Sequence, residues 1–177
     1  MNADRTLKDL LASGRDDAVA IAAHETPSLT YEGLRALIER TSATLNDLGI
    51  GLGDRVAIVL PNGPEMATAF LSVASAATSA PLNPAYKQEE FEFYLEDLRA
   101  KALIVEAGSE SPALRAAAKL GVAVLTLIPE RNVGAGAFEL SGSPLGAAIR
   151  PGPAKPDDVA LILHTSGTTS RDRKSVV

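Results

Sequence analysis

Cysteine and tryptophan are absent from the 177 residues, and histidine occurs only twice, at His24 and His164. Without a thiol there is no disulfide scaffold, no thiolate metal site and no cysteine nucleophile, a usage that fits a reducing compartment. Two histidines are too few for a multi-histidine metal cluster, so no metal ligand is assigned. Positive charge is also scarce. Seventeen Lys and Arg stand against 22 Asp and Glu, a net charge of −5, so nothing in the overall charge draws the chain to nucleic acid or to an anionic membrane surface. No apolar run reaches the roughly 18 residues of a membrane-spanning helix, and the opening MNADRTLKDL sets charges where a signal peptide needs an apolar stretch. A soluble, cytoplasmic protein is expected, with a peroxisomal address, which would be read at a C-terminus, left open.

What is present is a core-forming composition, 46% apolar with 4% aromatic residues, whose periodicity switches between strand and helix. After a short apolar run at 18–23, Thr30 is placed to cap a helix with the apolar face Tyr31, Leu34, Leu37, Ile38, Leu45 and Leu48, stopped by Gly49. Residues 55–60, RVAIVL, read as a strand buried on both faces, the pattern of a parallel sheet covered by helices. A PNGP turn at 61–64 leads to an Ala-rich crossover helix over 65–77. Residues 81–86, PLNPAY, read as an extended piece and a turn, because each proline fixes its own backbone and biases its predecessor away from helix. Phe91, Tyr94, Leu95 and Leu98 then fall on one helical face, with Glu89, Glu90, Glu92, Glu96 and Asp97 on the others. The unit recurs as strand 102–105, helix 111–120 closed by Gly121, and strand 122–127. This βαβ alternation without sequence repeat predicts an α/β fold of parallel-sheet layers and excludes a solenoid. Residues 129–158 change to Gly, Pro, Ala and Ser with little period, a surface excursion or a linker. A buried strand at 159–163 follows.

That strand opens into His164 and the run Thr165, Ser166, Gly167, Thr168, Thr169 and Ser170. Its five hydroxyls and its backbone N–H groups can converge on one point, and Gly167 permits close approach. Phosphate oxygens suit such a cradle, since hydrogen bonds to a charged acceptor contribute about 1.5–3 kcal/mol each. A polar turn whose hydroxyls satisfy their own backbone is the equal alternative. The commonest phosphate loop is excluded by order: counted from Gly167, its second glycine would fall on Asp172 and its lysine on Arg173.

The run resembles instead the signature of the adenylate-forming enzymes, which include acyl-CoA synthetases, firefly luciferase and the adenylation domains of peptide synthetases. Their phosphate loop has a Thr-Ser-Gly core, Ser or Thr, a small residue, Gly or Ser, and then Pro and Lys. The match holds over Thr165 to Ser170, and the preceding PDDVALILH and the whole stretch 29–105 are similar to that family's N-terminal region. HTSGTTSR, with Ser170 where many members carry glycine, and PLNPAYKQEEFEFYLEDL resemble the oxalyl-CoA synthetase branch. The resemblance implies the N-terminal part of the large domain of such an enzyme, truncated at the phosphate loop. It further implies a two-step reaction. A small carboxylic acid, oxalate in that branch, attacks the α-phosphorus of ATP while Mg2+ and the loop neutralise phosphate charge; coenzyme A then displaces AMP. Thr165, Ser166, Gly167, Thr168, Thr169 and Ser170 are the implied ATP-phosphate contacts, and no catalytic residue is assigned.

After Arg171 the match breaks, since the chain reads DRKSVV where the family has Pro, Lys and an apolar strand. A common sequencing adapter encodes DRKSVV in one frame. Residues 1–171 are therefore expected to be a partial adenylation domain, residues 172–177 a non-native tail, and the chain alone inactive. Arg173 occupies the lysine slot with a planar guanidinium, a poor substitute for a compact ammonium.

Other candidates carry less. His164 either orients a ligand or is a satisfied histidine at a strand end, and His24 is expected to face solvent. The carboxylates of 89–97 are expected on a solvated face, Asp157 and Asp158 at the end of the excursion. Ser166 lacks the Gly-x-Ser-x-Gly setting of a hydrolase nucleophile. A nucleotide-binding module without chemistry and a plain flavodoxin-like interaction domain remain as alternatives to the ligase.

Overall fold

A computed structural model describes residues 5–164 and, as backbone, residues 173–176. The chain opens with α1 (Leu7–Leu11), capped by Thr6, whose hydroxyl accepts from the Asp9 N–H while the Asp9 carboxylate accepts from the Thr6 N–H. Strands β1 (Val19–Ala23) and β2 (Thr26–Thr30) form a separate antiparallel hairpin. Neither α1 nor β2 was expected, because α1 spans little more than one turn and TPSLT shows no apolar alternation. Thr30 caps α2 (Tyr31–Asp47) as expected, accepting from the Gly33 N–H at 3.2 Å, and Leu34, Leu37, Ile38 and Leu45 are buried.

The main sheet follows from β3 (Arg55–Val59), α3 (Pro64–Ala74), β4 (Thr78–Pro81), α4 (Gln88–Leu98), β5 (Ala102–Glu106), α5 (Pro112–Leu120), β6 (Ala123–Pro129), β7 (Phe138–Ser141), β8 (Leu161–His164) and β9 (Arg173–Val176). Among the described residues its order is β7-β6-β5-β3-β4-β8-β9. Strands β6, β5, β3, β4 and β8 are parallel to their neighbours, and β7 and β9 add antiparallel edges. The expected α/β architecture of parallel βαβ layers is the one observed.

Alternation along the strands explains the two cores. Val56 and Ile58 of β3 and Ile104 of β5 face α2 and α3, in a cluster with Leu34, Leu45 and Val73. Ala57, Val59, Leu103 and Val105 face the other way, against Phe91, Leu95 and Leu98 of α4 and Ala113, Ala116 and Ala117 of α5. Each fully buried Leu or Phe contributes about 1.5–3 kcal/mol of apolar transfer. The near-continuous apolar runs of β3 and β5 are the sequence image of burial on both faces.

Three readings differ from expectation. The strand read as buried over 159–163 is β8, Leu161–His164, in which Ile162 alone of the apolar residues is buried, because the strand lies near the sheet's edge. The helix read over 65–77 ends at Ala74, and β4 occupies Thr78–Pro81, where only Pro81 had been read as extended. Thr78, Ser79 and Ala80 are buried between β3 and β8; their small, partly polar side chains hide the strand from any search for an apolar run.

Residues 130–158 contain β7 and are fastened to the body by backbone bonds. The Leu145 N–H donates to Leu48 O at 2.9 Å and the Ala154 N–H to Ser75 O at 2.8 Å, while Arg150 O accepts from the Leu52 N–H at 2.8 Å. The Gly152 N–H also donates to the Asn46 side-chain oxygen at 2.7 Å. Among the described residues no helix is long and apolar enough to cross a membrane.

Candidate functional site

The parallel strands end at one edge of the sheet, where α/β proteins bind ligands, and β8 is the strand that leads into the hydroxyl run. It is set beside β4 by the Thr78 hydroxyl, which donates to Val159 O at 2.8 Å, by the Ser79 N–H, which donates to Ala160 O at 3.0 Å, and by the pairing of Ser79 with Leu161. Strand β8 also pairs antiparallel with β9, His164 standing opposite Arg173. The implied phosphate contacts Thr165, Ser166, Gly167, Thr168, Thr169 and Ser170 lie outside the described residues. So do residues 171, 172 and 177, and of the expected tail only the backbone of 173–176 is described.

His164, the last described residue before the run, is held from two sides. Its Nε2 lies 3.2 Å from Asp97 Oδ2, and its ring rests on that of Tyr94 with centroids 4.6 Å apart. A carboxylate only accepts, so Nε2 carries the hydrogen of that bond. The His164 side chain is 7% exposed, and its buried Nδ1 has no hydrogen-bond partner among the described residues. The reading of His164 as a satisfied histidine at a strand end is met at Nε2 and not at Nδ1.

Behind His164 the rings continue inward. Tyr94 stacks on Tyr86 at 4.9 Å, and Tyr86 meets Phe91 edge-on at 5.8 Å. Burial, and then the neighbouring Tyr94 hydroxyl, push the Tyr86 phenol up to about 12. Helix α4 therefore supplies the site with Tyr94 and Asp97, which share a face at i and i+3. Asp97 had been placed with the solvated carboxylates; the only signal of its role is that spacing from Tyr94.

The remaining candidates take structural positions. His24 is 91% exposed beside Glu25, as expected. Glu92 accepts from Lys119 at 2.6 Å, a tie that bridges α4 to α5, and from Gln88 within α4 at 2.9 Å, and both hold its carboxyl below the usual range. Asp158 accepts from the Arg150 guanidinium at 3.0 Å and the Lys155 N–H at 2.9 Å, closing the turn before β8. Among the described residues no three His, Asp or Glu side chains gather as a metal site would need. A crevice of about 310 Å3 lies at the ends of β3 and β5, where strand order reverses, lined by Asn62, Gly63, Glu65, Glu106 and Arg131. Arg131 sits between the two carboxylates there, 3.5 Å from each.

Fold and strand order define an α/β protein built on a mainly parallel sheet with apolar layers on both faces. The chain belongs to the AMP-binding enzyme family, whose model matches residues 10–176. It is 41% identical over 161 residues to the oxalate–CoA ligase of Arabidopsis thaliana, an alignment that covers 82% of this chain and 29% of that protein. It is 34% identical over 184 residues to the oxalate–CoA ligase of Saccharomyces cerevisiae, covering 87% of this chain and 34% of that one. The apo structure of MatB from Rhodopseudomonas palustris superposes with a TM-score of 0.73 at 28% identity, over 99% of this chain and 35% of MatB. The resemblance to adenylate-forming enzymes carried by HTSGTTSR is thus borne out, and the chain spans about a third of the length of these relatives.

Proposed function

We propose that the chain is the N-terminal, phosphate-binding part of an ATP-dependent acid–CoA ligase acting in the cytoplasm. The whole enzyme activates a small carboxylic acid, oxalate in this reading, as its acyl-adenylate and passes the acyl group to coenzyme A. The carrying observation is positional. Strand β8, seated on β4 at the edge of the parallel sheet, leads straight into a run that has the family's hydroxyl-and-glycine order. In this reading Thr165, Ser166, Gly167, Thr168, Thr169 and Ser170 hold the ATP phosphates through N–H and O–H donors, with no need for a basic surface. Magnesium neutralises phosphate charge when ATP binds, and no residue of this chain is assigned to it. The two oxalate–CoA ligases among the relatives support oxalate as the acid.

The chain's share of the work is positioning and charge stabilisation, and the 177 residues alone turn nothing over. Residues 1–171 form part of the adenylation domain and 172–177 are foreign to it; source DNA encoding DRKSVV in the native frame would remove that last point. Calorimetric titration of the chain with MgATP should show binding that Gly167→Val abolishes. The longer gene product should exchange pyrophosphate into ATP with oxalate and not with acetate. Binding by the chain with no exchange by the longer product would favour the non-catalytic nucleotide module.

A further inference from the structure

Nδ1 of His164, buried and without a partner among the described residues, is the feature that a purely structural role leaves unexplained. A buried nitrogen without a partner costs about 1–3 kcal/mol, and most buried polar side chains avoid that cost. The neighbouring geometry also determines what Nδ1 offers. Asp97 Oδ2 takes the Nε2 hydrogen at 3.2 Å, and Tyr94 holds the ring face at 4.6 Å. In the neutral ring this leaves Nδ1 as a bare lone pair, able to accept an N–H or O–H hydrogen and unable to bind phosphate oxygen. Its place is the last residue of β8, directly before the hydroxyl run.

We infer that His164 is a positioning residue whose Nδ1 accepts one hydrogen bond in the ligand-bound state, with Asp97 fixing the tautomer that makes this possible. The inference rests on the reading of 165–170 as a phosphate loop. The donor is an N–H or O–H, supplied either by the nucleoside or by the chain in its phosphate-bound state.

Imidazole 15N spectra and calorimetry on the 177-residue chain at pH 8, titrated separately with MgATP and with inorganic tripolyphosphate, test it. The wild-type spectrum should show the Nε2–H tautomer, which Asp97→Ala scrambles and Asp97→Asn, still offering an acceptor oxygen, retains. The bare-nitrogen resonance should move on ligand addition. Movement with both ligands identifies a donor on the chain, and movement with MgATP alone identifies the nucleoside. His164→Gln keeps the bond to Asp97 but lacks Nδ1, and should weaken MgATP binding by about three- to tenfold, the worth of one hydrogen bond. His164→Asn, whose side-chain oxygen mimics Nδ1, should bind closer to wild type. A structural histidine would give the opposite order. Wild-type binding with an unmoved resonance, an Nδ1–H tautomer, or His164→Gln equal to wild type would overturn the inference and leave the phosphate-loop reading intact. Failure of the wild-type chain to bind either ligand would remove both.

Discussion

The Thr68 hydroxyl donates to the carbonyl oxygen of Gly136 across 2.6 Å, joining the first turns of α3 to the β6–β7 connection 68 residues away. Gly136 has φ +77, and a Cβ there would lie 2.6 Å from Pro64 O and 2.7 Å from Thr68 Cγ2. Thr68→Val, which keeps the shape and removes the donor, should cost about 1–3 kcal/mol by leaving a buried carbonyl unpaired. Gly136→Ala adds a left-handed strain to a backbone clash and should cost more. Urea unfolding of both variants measures the order.

Tyr86 should ionise far later than a free phenol. The sequence contains three tyrosines, and absorbance titration at alkaline pH should show one of them ionising near 12, a step that Tyr86→Phe removes. The folded state holds the Tyr86 proton more tightly than the unfolded chain does. Its stabilising contribution is therefore complete below about 10 and declines as pH rises toward about 12.

Ser79 is fully buried in β4, and its hydroxyl has no partner among the described residues. Ser79→Ala removes a desolvated group without opening a large cavity, so it should leave stability unchanged or raise it by about 1 kcal/mol. A higher thermal midpoint is the expected result; a clear drop would mean that the hydroxyl is bonded after all.

The Asn46 side chain accepts from the Gly152 N–H at 2.7 Å and donates to Ser42 O at 2.6 Å, clamping the Gly- and Pro-rich segment to α2. Asn46→Ala should speed proteolytic nicking within residues 143–158 several-fold while the sheet stays protected. Mass spectrometry of the first fragments locates the cut.

Much of this fold is legible in the sequence where burial writes a period. Leu34, Leu37, Ile38 and Leu45 mark α2, and the unbroken RVAIV marks β3 as a two-sided interior strand. Strand β4 escapes because its burial is achieved with Thr, Ser and Ala, small enough to sit between neighbours yet carrying no apolar signature. At the candidate site the hydroxyl run is visible as residue order alone. The Asp97–His164 pair is not, because 67 residues separate its members and Asp97 stands among four glutamates that serve solvation, capping or an ion pair. Pairing across elements is decided by topology, and only the strand order brings α4 beneath the end of β8.

Strand β3 is laddered to β4 from Arg55↔Thr78 to Ile58↔Pro81 and to β5 from Val56↔Ala102 to Val59↔Val105, whereas β8 meets β4 in the registered pair Ser79↔Leu161 alone, among the described residues. The sheet therefore has unequal stiffness. Moving β5 means breaking ladders on both its sides; β8 is held to β4 by one registered pair and the Thr78 bond to Val159 O, to α4 by Ile162 and His164, and to the edge strand β9 by four pairs. The strand that leads into the hydroxyl run is joined to the parallel frame more by side chains, Thr78, Ile162 and His164, than by a backbone ladder, so any displacement of it passes directly into the α4 layer through Ile162.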